Sequence, residues 1–115
     1  MGYMGMNHWQ ESDGAADFVF VYKEATTMAK RRKIIDTELK DFANCYNTPG
    51  SVNIALAMED GIVRKDDLTA KQTNKLRELL ADLKMKSSAK YRAEWEDEGG
   101  RLEHHEAYKR LLKLI

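Results

Sequence analysis

The stretch Ser12-Asp13-Gly14-Ala15-Ala16-Asp17-Phe18-Val19-Phe20-Val21-Tyr22 decides the fold. Ser12 or Asp13 reads as a helix N-cap, because its side-chain oxygen can accept from the free N–H groups of the first turn. Asp17 adds negative charge near the positive end of the helix. The five apolar residues Phe18 to Tyr22 are open to a strand by composition. The cap before them and Lys23-Glu24-Ala25 after them favour a helix, one buried on most of its sides.

Downstream, Phe18, Val21, Ala25, Met28, Arg32, Ile35, Leu39, Phe42 and Tyr46 follow an alternating three-four spacing, with Arg32 as the one mismatch. That is a heptad-like seam. An unbroken helix over 12–47 would be about 50 Å long at 1.5 Å per residue, long for a domain of this size. Either it projects and pairs with a second copy, or it breaks near Thr26–Lys33, where β-branched and charged residues cluster. A break or bend is the favoured reading.

Past the turn Asn47-Thr48-Pro49-Gly50, Ser51 is expected to cap a short helix over 51–60. Its run Ile54-Ala55-Leu56-Ala57-Met58 is apolar almost all round, which marks a central element. Gly61 suits the left-handed position after a helix end. Thr69-Ala70-Lys71-Gln72 reads as a capping box opening a helix over 69–98, with Leu76, Leu79, Leu80 and Leu83 inward. Ser87-Ser88 is a weak point in it, and Gly99-Gly100 stops it. A last helix over 101–115 carries Tyr108, Leu111, Leu112 and Ile115 on one side. Residues 1–11 form an arm rich in Met and aromatics. The expected architecture is a single all-α domain, 1–115, built as a bundle of four or five helices with the arm packed on it.

Composition agrees. One proline and seven glycines leave long stretches free of helix breakers. With 43% apolar and 33% charged residues, the chain resembles a folded globule rather than a disordered tail. No apolar run approaches the ~20 residues that span a bilayer. No basic segment leads into an apolar signal region, so a cytoplasmic location and no membrane partner are expected. Cys45, between Phe42 and Tyr46, reads as a buried, inert thiol.

Chemistry-bearing patterns are scarce. His104 and His105 are adjacent, so on a helix they point about 100° apart and do not grip one ion together. HExxH, paired CxxC, GxSxG and phosphate-binding glycine motifs are all missing. Asp13 and Asp17 share a helix face, but carboxylates there are stabilising without any further role. No catalytic residue, metal ligand or cofactor is assigned.

Nineteen basic and nineteen acidic residues cancel overall, yet they segregate. Lys30, Arg31, Arg32 and Lys33 form one basic block. Residues 71–92, including Lys71 and Lys75, carry seven cations against two anions. These are the candidates for nucleic-acid contact. The contiguous block splays around a helix, and the neutral total argues against a dedicated nucleic-acid binder.

The opening Met1-Gly2-Tyr3-Met4-Gly5, then Glu11 to Phe18, then Asn53-Ile54-Ala55-Leu56-Ala57 with Gly61 beyond, resembles a family of uncharacterised small bacterial domains. Its members open Met-Gly-x-Trp-Gly, follow with an Asn/Ser-Asp-x-Ala-x-Asp cap, and later carry an Ala-Leu-Ala helix. Met4 stands here where the family has Trp. The resemblance implies a helical domain and supplies no catalytic residue.

The function expected from these features is a non-enzymatic protein-interaction or modulator module, self-associating as a homodimer, such as a phage or bacterial accessory protein. Its contact residues are sought in Tyr3 and Trp9 of the arm and in Met28, Arg32, Ile35 and Leu39 of the seam. Aromatic anchors and pliable Met-bearing surfaces favour such contacts. The alternative is a nucleic-acid-associated protein using 30–33 and 71–92. A fainter one is a metal-dependent enzyme using His8, His104 and acidic neighbours.

Overall fold

A computed structural model describes residues 8–41, 49–86 and 105–115. Among them lie five helices: α1 (Asp13–Glu24), α2 (Met28–Leu39), α3 (Gly50–Glu59), α4 (Ala70–Lys86) and α5 (His105–Leu112). Short 3-10 turns at Trp9–Glu11 and Lys65–Asp67 complete the set. The protein is an all-α bundle. No helix among the described residues is long and apolar enough to cross a membrane. Tyr3, Cys45, Tyr91, Trp95, His104, the turn at Asn47-Thr48 and the stretch around Ser87-Ser88 and Gly99-Gly100 lie outside the described residues.

The centre is α3. Gly50 through Ala57 are all buried, so the helix has no polar face to turn to water. Val52, Ile54 and Leu56 are at most 1% exposed, and each such burial is worth about 1.5–3 kcal/mol. All four other helices touch α3. Ser51 does not cap it as the sequence suggested. The cap falls two residues earlier, at Pro49, with no side-chain cap, and the helix starts at Gly50. The Gly50 N–H instead donates to the Asp41 carbonyl at 2.9 Å, so the end of the preceding segment takes over the role of a cap.

The long helix of the seam is two helices. Ala25 leaves the helical conformation, and Thr27 caps α2 by accepting from the Lys30 N–H at 3.2 Å. At the other caps the sequence signals hold. Ser12 Oγ accepts from the Ala15 N–H at 3.3 Å. Thr69 and Gln72 form the reciprocal box at 2.9 and 3.1 Å. Gly61 sits at φ 74°, the left-handed conformation that glycine adopts most readily.

Two buried polar groups fasten the helices to one another. The Tyr22 hydroxyl donates to Asp67 at 2.9 Å, and the Arg64 N–H donates to the same carboxylate oxygen at 3.1 Å. Burial, together with this donation to an acceptor, pushes the Tyr22 phenol well above its ordinary range. The Gln72 side-chain amide reaches from α4 to α2, donating to the Arg32 carbonyl and to Asp36 Oδ1, each at 2.8 Å. Arg110 of α5 grips Glu59 of α3 through two nitrogens, at 2.7 and 3.1 Å.

The packing of α3 against the end of α2 depends on Gly50. A Cβ there would overlap the Glu38 main-chain carbonyl. Gly50→Ala is therefore expected to destabilise the protein by about 3 kcal/mol or more. Gly61→Ala meets open space and should cost only about 1 kcal/mol of backbone strain. Urea denaturation of the two variants tests that ordering.

A groove between the first two helices

The α1 run Phe18 to Tyr22 is not buried on most sides. A helix turns about 100° per residue, so five consecutive apolar positions sweep more than a full turn and cannot all face one neighbour. Ala15, Phe18, Val19 and Tyr22 form the inward stripe. Phe20 and Val21 stand out, 65% and 53% exposed. Val21 lines a groove of about 760 Å³ between α1 and α2.

The splay between these helices is set at their junction. Arg31 Nε donates to the Ala25 carbonyl at 3.2 Å, and its guanidinium lies 5.0 Å from the Tyr22 ring centre. Phe18, Val21, Ala25 and Ile34 supply the apolar lining of the groove. Asp17 and Glu24 edge its α1 side, and Lys30 and Lys33 edge its α2 side. The end away from the junction holds Glu38 and Asp41, with Asn53 reaching in from α3.

Glu38 is the most perturbed carboxylate among the described residues. Its Oε2 accepts from Asn53 Nδ2 at 2.8 Å. Burial pushes its pKa up from the ordinary glutamate range, and the negative charges of Asp41 and Asp17 push the same way, while the Asn53 hydrogen bond pulls it back. Neither Glu38, Asp41 nor Asn53 carried a signal in the sequence, because nothing local shows that the end of α2 meets the face of α3. Val21 did carry one, in the excess of consecutive apolar residues.

The expected contact residues mostly face elsewhere. Ile35 and Leu39 are in the core, 0% and 6% exposed, because the inner stripe of α2 packs on α3 and α4. They offer no surface. Arg32 fits the seam because its Nε donates to the Asp67 carbonyl at 3.3 Å, tying α2 to the Lys65–Asp67 turn. Met28 is exposed at 40%. Trp9 packs back on the bundle. Its indole N–H donates to Asp60 Oδ2 at 2.9 Å, with Lys23 Nζ 5.9 Å from its ring centre.

Of the basic block, Arg31 and Arg32 turn to backbone carbonyls, leaving Lys30 and Lys33 at the groove edge. Lys71 and Lys75 are exposed on α4, one turn apart. His8 Nδ1 accepts from the Gln10 N–H at 3.1 Å, and its Nε2 lies 3.7 Å from Asp60. No group of three or more His, Cys, Asp or Glu among the described residues is placed to hold a metal ion.

The raised pKa of Glu38 has a definite sign for stability. Between the ordinary glutamate range and its own higher value, the folded state holds a proton that the unfolded state has released. Stability therefore falls as pH rises through that window. Glu38→Gln keeps an acceptor for Asn53 and removes the charge. The variant should be more stable than the parent at neutral pH, with the difference closing below the ordinary glutamate range. Urea midpoints across a pH series measure it, and equal midpoints at neutral pH would contradict the assignment.

No protein-family model, curated protein or solved structure matches this chain.

Proposed function

We propose that this chain is a non-enzymatic protein-interaction module whose contact surface is the α1–α2 face. One observation carries the reading. Val21 stands exposed in a groove with an apolar lining, and Phe20 stands exposed on the same helix, although α1 already has a complete inward stripe. Exposed apolar surface of this kind marks interaction sites on folded domains, and an aromatic such as Phe20 is a typical anchor. A small accessory protein that binds and modulates another protein, of phage or bacterial origin, has this form.

The nucleic-acid alternative has less support. Two of the four cations in the 30–33 block are used inside the fold, and acidic side chains edge the α1 side of the groove. Phosphate contacts need converging, accessible cations.

The test is site-specific crosslinking. A photo-reactive phenylalanine analogue at position 20, expressed in the native cell, should give a discrete adduct with a second protein. Val21→Asp in the same chain should leave the helical circular dichroism intact and weaken the complex by about 2 kcal/mol, roughly thirtyfold. A chain that folds and yields no adduct overturns the reading.

A further inference from the structure

We infer that the α1–α2 groove receives an amphipathic helix of a partner protein, with leucine-like side chains on the apolar lining and a lysine or arginine seated at the Asp17–Glu38–Asp41 end. This rests on the interaction reading above and adds the chemistry of the partner.

The shape favours a helix. Two helices joined by a short turn and splayed apart leave a trough along which a third can lie, the usual way an amphipathic helix is recognised. Phe18, Val21, Ala25 and Ile34 line the trough from both sides. Side chains spaced three and four apart on an incoming helix would meet them in succession.

The charges select its sign. Four carboxylates line the groove against two lysines, so it is anionic on balance. They are unevenly placed. Lys30 and Lys33 lie on the early part of α2, beside Glu24 at the junction. Asp17, Glu38 and Asp41 gather at the other end, and among the described residues no cation lines that end. Among the described residues, Asp17, Glu24 and Asp41 form no ion pair.

Glu38 makes the acidic end specific. Asn53 supplies a donor to one carboxylate oxygen. Desolvation and the charges of Asp17 and Asp41 both disfavour the ionised form. A guanidinium or ammonium placed there meets all three carboxylates and relieves that repulsion. An acidic or neutral occupant leaves it unrelieved. The same juxtaposition rejects anionic partners, a second route to specificity.

The probe is a synthetic amphipathic helix of leucine and lysine with its leucines on one face. The control is its leucine–glutamate counterpart. Both are titrated into the full chain and followed by the methyl resonances of Val21 and Ile34. The leucine–lysine peptide should shift both methyl groups. The double variant Glu38→Gln, Asp41→Asn, which conserves shape, should bind it about tenfold more weakly at constant salt. Equal or tighter binding of the leucine–glutamate peptide overturns the cationic partner while leaving the interaction surface standing. If neither peptide shifts Val21 and Ile34, the helical occupant is overturned, and the crosslink at position 20 then decides separately whether the face binds protein at all. A concentration-dependent dimer in the ultracentrifuge, abolished by Val21→Asp, seats a second copy in the groove and overturns the proposal.

Discussion

The rest of the structure depends on α3 having no polar side. A helix buried from Gly50 to Ala57 must be enclosed, and α1, α2, α4 and α5 do the enclosing. Each of them needs only one stripe for that purpose. Whatever apolar surface they carry beyond the stripe is left outside, and α1 carries the most. The groove and the exposed Phe20 follow from that surplus. Enclosure by short helices also needs fastening between elements far apart in sequence. Tyr22 to Asp67 and Gln72 to Arg32 and Asp36 supply it with buried or part-buried hydrogen bonds, and Arg110 to Glu59 adds an exposed one. Buried polar groups satisfied in this way also restrict the helices to one arrangement.

The parts of this fold that could be read in the sequence are those set by nearby residues. Ser12, the Thr69–Gln72 box and Gly61 act within a turn of their own position, and each does what its residue type suggests. The central place of α3 was legible for a similar reason, since a helix apolar all round has one natural environment. What was misread depends on contacts between distant segments. Ser51 looked like a cap because hydroxyls usually cap, but the Asp41 carbonyl occupies that end and shifts the start to Gly50. Ile35 and Leu39 looked available for a partner because the three-four spacing does not say whether a seam meets its own domain or another copy.

The candidate site was less legible still. Arg31 and Arg32 read as part of a basic surface, and only the fold shows them turned toward carbonyls of Ala25 and Asp67. Asp17, Glu38 and Asp41 are ordinary acidic residues in the chain and become one electrostatic group only when α1 and α2 run side by side. A pattern of consecutive apolar residues in one short helix was the available clue, and it pointed to Val21 and Phe20 without saying what lies beside them.

Glu38 belongs to two structures at once. Its backbone oxygen lies against Gly50, where a side chain would overlap it, and its carboxylate is held by Asn53, itself 1% exposed. The position of that negative group is thus inherited from the interior and does not wait for a visitor to arrange it. A molecule arriving there would meet an acceptor already held by Asn53, so less ordering entropy would be lost at this contact.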